Sequence, residues 1–278
     1  MPPSAGSSLL AVPRMYDPGE PVTSRWRRFF AWLAEAAGVD LHMAEMPPPA
    51  QLPDIWSRRD LGCAFMCALP FSGGRFDVQP LAAPVPCFPR YESRPVYATD
   101  FIVRHDSPIE ALEDLRQQGP LALMPRDSLS GFRSPVAHLA ERLGEAPLRH
   151  LLRSKAVQVQ TPREVLQAVA EGQAAVGVVD TYFFDLCAHP QMPLAQNLRS
   201  IATTPWLPIS PLVASGVVDG GTIDAIRAAL LRAGEDAEPR ALLEDLGLSG
   251  FAEVDRSAYT EAVGARFRDG VDKSLISP

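Results

Sequence analysis

Short apolar runs alternate along the chain with segments in which apolar residues recur three and four positions apart. Runs of the first kind, at 63–67 and 174–180, predict buried strands, whereas the spacing at 222–233 predicts an amphipathic helix. The run at 78–85 predicts a strand interrupted by proline. Strands that alternate with helices usually pair in parallel, with helices on both faces of the sheet. The pattern therefore predicts an α/β protein built on parallel sheets.

The segment 121–143 places a strand, a polar turn and a helix in an order that suits an anion. Its apolar run ends at Pro125, and Ser128, Ser130 and Gly131 follow before apolar residues resume at helical spacing. The first amides of a helix lack backbone partners and lie at the positive end of the helix dipole. With two hydroxyls and a glycine they would cradle phosphate, phosphonate, sulfonate or carboxylate. The alternative is that Ser128 or Ser130 merely caps the helix.

The size and charge of the chain further limit the range of possible functions. Its 278 residues suit two lobes of ordinary size, and 46% hydrophobic with 21% charged residues is typical of a soluble globular protein. The net charge is −7 and no lysine- or arginine-rich run occurs, so we expect no nucleic-acid partner. A local anion site is compatible with this charge, because helix-end amides bind anions whatever the global charge.

The sequence carries no obvious targeting segment. No stretch approaches the length of a membrane span, and residues 1–8 have neither a basic start nor an apolar core, so they do not form a secretory signal. We therefore expect a cytoplasmic protein as the sequence stands, or a periplasmic one if a signal sequence is missing from this chain.

The residue types that carry metal or covalent chemistry form no familiar pattern. The spacing of the four cysteines fits no zinc site, so buried free thiols, no metal and no cofactor are expected. A paired general acid and base is also missing: Asp180 is one candidate, but His105 lies in a helix-cap setting. No catalytic residue is therefore predicted.

Several segments together resemble the periplasmic phosphate/phosphonate-binding proteins of ABC transporters, within the type II solute-binding fold. The resemblance covers roughly residues 9–256. Segment 98–115 is similar to the family's strand followed by Arg-x-Asp-Ser and Leu-Glu-Asp-Leu, and 127–132 lies where the family has a Ser-Thr-Ser-Gly-aromatic phosphonate cradle. Segment 165–180 is similar to its helix followed by Gly-x-x-Asp-x-Gly-x-Val-Asp. The C-terminal part is matched by 208–214 and 241–251.

The resemblance implies two α/β lobes joined by two crossover strands, each lobe a mostly parallel sheet covered by helices. Lobe 1 would comprise residues 1–98 plus 203–278, and lobe 2, with the anion cradle, residues 99–202. The ligand would lie between the lobes, outside the carboxyl ends of the strands.

The resemblance also implies which residues bind the ligand. Ser128, Leu129 and Ser130 take the three cradle positions, followed by Gly131, and Leu129 replaces a threonine, so one hydroxyl is lost. Asp180 takes the acidic position that would hold a ligand amine or hydroxyl; the alternative is a helix cap.

Four further residues complete the implied site. Tyr97 keeps an aromatic near the crossover, and Thr161 falls where some phosphonate binders have histidine. Phe71 sits where the family often has tyrosine, and Tyr16 lies in the turn after the first strand. For Tyr16 and Phe71 the alternative is ordinary packing in the core.

The expected function is that of the solute-binding component of an ABC-type phosphate/phosphonate-like uptake system. Such a protein would bind a small anionic ligand, a phosphonate, phosphate or related oxyanion, without catalysis, and would work as a monomer with an ABC transporter permease. The alternatives are a cytoplasmic enzyme on the same fold that acts on a small carboxylated substrate, as in menaquinone synthesis, and a cytoplasmic regulatory module.

Overall fold

The computed structural model describes residues 8–48, 50–116, 119–188, 192–264 and 267. The chain forms two compact units, Met1–Val96 with Pro208–Tyr259, and Tyr97–Leu207 with Thr260–Pro278. The lobes predicted from the sequence change over after residue 98 and before residue 203, close to these points. The two divisions differ most at Thr260–Gly264, which belongs to the second unit, whereas the prediction assigns it to the first.

Strands and helices alternate through most of the chain. The strands are β1 (Leu9–Val12), β2 (Leu41–Met43), β3 (Leu61–Phe65), β4 (Val78–Pro86), β5 (Val96–Tyr97), β6 (Thr99–Arg104), β7 (Leu121–Leu123), β8 (Ala156–Gln158), β9 (Val176–Asp180), β10 (Leu198–Thr203), β11 (Leu207–Pro208), β12 (Leu212–Ser215) and β13 (Leu248–Ala252). The α-helices are α1 (Val22–Ala37), α2 (Leu52–Trp56), α3 (Ala68–Ser72), α4 (Ser134–Leu143), α5 (Glu145–Ser154), α6 (Pro162–Ala170), α7 (Thr181–Cys187), α8 (Gly220–Arg232), α9 (Ala237–Asp245) and α10 (Arg256–Tyr259). Short 3₁₀ turns lie at Arg14–Tyr16, Pro89–Tyr91, Leu112–Arg116 and Pro193–Ala195, and π-helical turns at Leu129–Arg133 and Thr260–Gly264.

The two units have sheets of the same order. In the first, β1 lies between its parallel neighbours β2 and β3, and β12, β4 and β13 follow in antiparallel pairing. In the second, β7 lies between its parallel neighbours β8 and β9, and β6 and β10 follow in antiparallel pairing. Strands β5 and β11 form a separate two-stranded pair.

The α/β class is confirmed, but strand pairing within each sheet is mixed rather than mostly parallel. Each sheet keeps a parallel trio of strands whose connections run through helices, as the alternating pattern predicts. The strand that follows each passage of the chain from one unit to the other, β6 or β12, pairs beside this trio and runs against it. The alternation of strands and helices along the sequence does not reveal this change in strand direction.

Strand β4 shows how the sheet accommodates proline. The prediction of a strand interrupted by proline is wrong, because β4 is continuous over its nine residues. The register shifts where β12 reaches Pro80 and where β13 reaches Pro86. Such irregularities release the ladder from the hydrogen bond that a proline nitrogen cannot donate.

Helix α1 shows how the core of the first unit is built. Trp26, Phe29, Phe30 and Leu33 lie on one face at helical spacing and are fully or almost fully buried. Burying each of these side chains contributes roughly 1.5–3 kcal/mol before entropy is counted. The helix ends at Gly38, whose φ of 63° suits a residue without a Cβ.

Candidate anion-binding site

The topology of the second unit gathers most of the predicted site residues at one edge of its sheet. Because β7, β8 and β9 are parallel, their carboxyl ends meet at that edge. The turn 124–133 follows β7, Thr161 follows β8, and Asp180 ends β9. Strand β6 begins there as well, since Thr99 pairs with Asp180 across the antiparallel ladder.

Ser128 holds the polar turn in shape. Its Oγ accepts a hydrogen bond from the Gly131 amide at 3.0 Å, and its carbonyl accepts one from the Arg133 amide at 3.0 Å. The second bond is the first of the π-helical turn Leu129–Arg133. This turn continues directly into α4. Ser128 therefore caps this helical segment, the role that the sequence left open for it.

Two amides and one hydroxyl of the turn remain open. Among the residues that the structure describes, the Leu129 and Ser130 amides make no hydrogen bond, and the Ser130 hydroxyl has no partner either. The Leu129 side chain is fully buried, so this residue offers only its amide. Ser130 is partly exposed. The turn thus presents open hydrogen-bond donors at the start of a helical segment, as an anion site requires.

Gly131 is required by the close approach of Met124. The Met124 amide donates to the Gly131 carbonyl at 3.0 Å, and a Cβ at position 131 would overlap the Met124 side chain, lying 2.6 Å from its Sδ and 2.7 Å from its Cγ. The sequence predicts a glycine that lets another part of the backbone approach closely, and the structure shows which part approaches. The approaching residue is Met124, which directly follows β7.

Asp180 caps a helix. It is 5% exposed, and its Oδ1 accepts hydrogen bonds from the amides of Tyr182 at 2.9 Å and Phe183 at 3.2 Å. These bonds satisfy two of the four open amides at the start of α7. The cap is the alternative that the sequence left open, and contact between Asp180 and a ligand stays a prediction.

Asp180 offers a stability test of this cap. In Asp180→Ala two buried amides lose their acceptor, so we expect the free energy of unfolding to fall by about 2–4 kcal/mol. In Asp180→Asn the side-chain carbonyl replaces Oδ1, so we expect a loss of less than about 1 kcal/mol. Urea denaturation followed by circular dichroism measures both; an alanine variant as stable as the wild type would contradict the cap.

Thr161 and Tyr97 lie in regular elements of the second unit. Thr161 Oγ1 accepts a hydrogen bond from the Glu164 amide at 3.2 Å and so caps α6, while the Glu164 carboxylate accepts one from the Gln160 amide at 2.8 Å. This is a variant of the capping box. Tyr97 ends β5 and is 2% exposed. Ligand contacts of both residues stay predictions.

Tyr16 and Phe71 belong to the first unit and pack against aromatic residues there. The Tyr16 ring meets Phe65 edge to face at a centroid distance of 4.9 Å. The Phe71 ring meets Tyr259 in the same way at 5.0 Å, and the Arg256 guanidinium carbon lies 4.7 Å from the Phe71 centroid. These contacts are of the kind that the sequence left as the alternative, and ligand contacts of both residues stay predictions.

The cysteines divide into two groups. Cys63, Cys67 and Cys187 are buried as expected, but Cys87 is exposed because it follows β4 at the surface. Burial raises the pKa of Cys187 to about 12 and that of Cys63 further, so both stay protonated thiols at neutral pH. Within the described ranges, no group of three His, Cys, Asp or Glu residues is placed to hold a metal ion.

Thr99 is the site neighbour that sequence reasoning overlooked. Its hydroxyl donates to the carbonyl of Ser130 at 2.9 Å. The sequence shows a threonine at the start of an otherwise largely apolar strand, next to Asp100, and this pattern was the indication that could have pointed to Thr99. A threonine in that setting is compatible with many roles, since β-branched residues are common in strands.

Known proteins were compared with the chain in sequence and in structure. The family model described as ABC transporter, phosphonate, periplasmic substrate-binding protein matches residues 14–259. No curated protein matches the sequence. Within the described ranges, no helix has both the length and the apolarity needed to cross a membrane.

Three solved structures with the same fold illustrate the likeness. A binding protein component of an ABC phosphonate transporter from Pseudomonas aeruginosa is 19% identical, with a TM-score of 0.76 over 91% of this chain and 84% of that chain. PhnD1 from Prochlorococcus marinus, in complex with methylphosphonate, is 14% identical, with a TM-score of 0.71 over 91% and 95%. XAC2383 from Xanthomonas citri, bound to chloride ion, is 20% identical, with a TM-score of 0.65 over 96% and 100%.

These findings confirm the type II solute-binding fold that the resemblance implied. They do not support the menaquinone-type enzyme alternative, because the matching family is a substrate-binding transport component and not an enzyme. The family is periplasmic. The chain therefore belongs to the periplasmic substrate-binding proteins of ABC phosphonate transporters, the solute-binding components of phosphonate uptake systems that take up a small anionic ligand.

Proposed function

We propose that the turn from Ser128 to Gly131 is the part of this protein that holds the oxyanion of its ligand. The observation that carries the proposal is the pair of open amides at Leu129 and Ser130, at the start of the helical segment that runs into α4. Amides in this position lie at the positive end of the helix dipole. The Ser130 hydroxyl adds a third donor beside them.

The charges of the turn support the same assignment. Arg126 and Arg133 belong to it, and the Arg133 Nε donates to the Arg126 carbonyl at 2.7 Å. Against these two cations stands one exposed carboxylate, that of Asp127. The turn is therefore locally positive on a chain whose net charge is −7. Such a local excess attracts an oxyanion even when the whole molecule is acidic.

The donor set favours a small ligand. Leu129 contributes an amide where the family pattern has a threonine hydroxyl, so the turn offers fewer side-chain donors than the pattern does. A buried dianion needs all of its charge paired by hydrogen bonds. We therefore propose methylphosphonate or inorganic phosphate as ligands of the right size, and the methylphosphonate complex of the Prochlorococcus marinus neighbour supports the former.

In its cellular role the protein would pass this ligand to an ABC transporter permease, as a monomer and without catalysis. The family match supports this role, since the family is a transport component. Binding without turnover is also consistent with Asp180, the acidic candidate, being engaged by the two amides of its helix cap.

Titration calorimetry of the full chain tests the proposed ligand class. Methylphosphonate, phosphate, sulfate and succinate are injected in turn, and the melting temperature is followed in parallel. We expect saturable binding of one methylphosphonate or phosphate per chain, with a melting temperature that rises as the ligand concentration exceeds Kd. If none of the four anions binds or shifts the melting temperature, the proposed function is wrong.

A further inference from the structure

The helical turn of the cradle leaves one of its own carbonyl groups without a backbone donor. In an α-helix the Ser130 carbonyl would accept from the amide of residue 134, and in a π-helix from that of residue 135. The Ser134 amide donates instead to the Leu129 carbonyl. Residue 135 is proline and has no amide hydrogen. The Ser130 carbonyl therefore needs a donor from elsewhere in the fold.

Thr99 supplies that donor. Its Oγ1 lies 2.9 Å from the Ser130 carbonyl oxygen. The two residues lie 31 positions apart in sequence and come together because β6 starts at the sheet edge where β7 and β9 end. Thr99 is 1% exposed, so its hydroxyl is not shared with bulk water.

Thr99 is itself fixed by the backbone around it. Its amide donates to Thr204 Oγ1 at 3.0 Å, and its carbonyl accepts from the Thr204 amide at 2.9 Å. Its Cα pairs with Asp180 across the β6–β9 ladder. The hydroxyl that reaches the cradle is therefore mounted on a rigid support, the arrangement that keeps a binding group in its productive orientation.

The Ser130–Gly131 peptide is thus held at both ends. Thr99 binds its carbonyl, and Ser128 Oγ binds its amide hydrogen on Gly131. The Ser130 carbonyl carbon is bonded to the Ser130 Cα, so holding this peptide also holds Ser130, which carries one open amide and the open hydroxyl. Without the Thr99 bond Ser130 could shift with this peptide, which would displace its open donors although no donor would be lost.

We propose that Thr99 is a positioning residue for the anion site, which it orients through the Ser130 carbonyl without touching the ligand. The proposal rests on the proposed function of the Ser128–Gly131 turn. It assigns part of the affinity for the oxyanion to a strand residue outside the turn. The chemistry is a single hydroxyl donor that substitutes for the amide missing at Pro135.

The test replaces the hydroxyl and leaves the shape of the side chain unchanged. Thr99→Val removes only the donor, and we expect its Kd for methylphosphonate, or for inorganic phosphate if that binds more tightly to the wild type, to rise by at least about tenfold. Thr99→Ser restores the hydroxyl, and we expect a Kd within about threefold of the wild type. Calorimetry gives the affinities, and circular dichroism confirms that each variant is folded.

The matched control is Thr203→Val. The Thr203 hydroxyl donates to Asp100 Oδ1 at 2.6 Å in the same unit, so its loss removes a side-chain hydrogen bond that involves no residue of the 128–131 turn. We expect this control to lower the melting temperature and to leave Kd within about threefold. If Thr99→Val fails to fold, Thr99→Ala removes the same hydroxyl and is held to the same result.

The outcomes separate this proposal from the proposed function. A Thr99→Val variant that binds the anion as tightly as the wild type overturns the role of Thr99 alone. The same holds if Thr203→Val weakens binding equally, since the effect would then be one of general stability. A wild-type protein that binds no anion overturns the proposed function and this inference with it.

Discussion

The Gly131→Ala variant is expected to bind methylphosphonate at least about a hundredfold more weakly than the wild type, the loss expected when two well-placed donors are displaced. The added Cβ would overlap the Met124 side chain, including its Sδ at 2.6 Å and Cγ at 2.7 Å. Met124 directly follows β7 and its amide donates to the Gly131 carbonyl, so relief of the overlap must move the turn. We also expect a loss of roughly 1–3 kcal/mol in the free energy of unfolding, as for other overpacked sites.

Gly220→Ala is the matched control for this change. Gly220 is the first residue of α8, and a Cβ there would meet nothing within 4 Å. Alanine favours helix over glycine, so we expect equal or slightly greater stability and unchanged affinity. Calorimetry and urea denaturation of the two variants give the comparison. A Gly131→Ala protein that binds within threefold of the wild type would show that the shape of the turn is irrelevant to the ligand.

The double variant Ser128→Ala, Ser130→Ala is expected to weaken methylphosphonate binding by about a hundredfold, through two different routes. Ser130 Oγ has no partner among the described residues, so its removal costs affinity and leaves stability unchanged. Ser128 Oγ accepts from the Gly131 amide, so its removal also loosens the turn and costs about 1 kcal/mol of stability.

The single variants separate these two routes. We expect Ser130→Ala to raise Kd with no change in melting temperature, and Ser128→Ala to change both. Ser154→Ala is the control, because the Ser154 hydroxyl bonds to the His150 carbonyl on an exposed helix of the same unit. Calorimetry and thermal denaturation of these four variants are compared with those of the wild type. A double variant with wild-type affinity would show that the two hydroxyls do not contribute to binding.

The local features of the fold were predictable because neighbouring residues determine them. The spacing at 222–233 predicted a helix, and α8 spans Gly220–Arg232. The polar turn after β7 was recognised from its serines and glycine, and its cap by Ser128 was among the roles considered. Caps and helical periodicity depend on residues three and four positions apart, which a sequence displays directly.

The features that depended on distant residues could not be predicted. Thr99 is recognisable as part of the site only when its pairing with Asp180 and the missing amide at Pro135 are known together. Tyr16 and Phe71 show another limit, because an aromatic residue in a binding cleft and one in a core produce the same sequence pattern. The segment Thr260–Gly264 shows a third, since helical spacing does not say to which unit a helix belongs.

We propose above all that the backbone amides of Leu129 and Ser130 bind the ligand's oxyanion. Nitrogen-15 NMR of the uniformly labelled protein, titrated with methylphosphonate or with phosphate, tests it most directly. We expect large downfield proton shifts for these two amides that saturate with the calorimetric Kd, and a smaller shift for Gly131, whose amide is already bonded to Ser128. Saturated binding that leaves the Leu129 and Ser130 amides unshifted would contradict it.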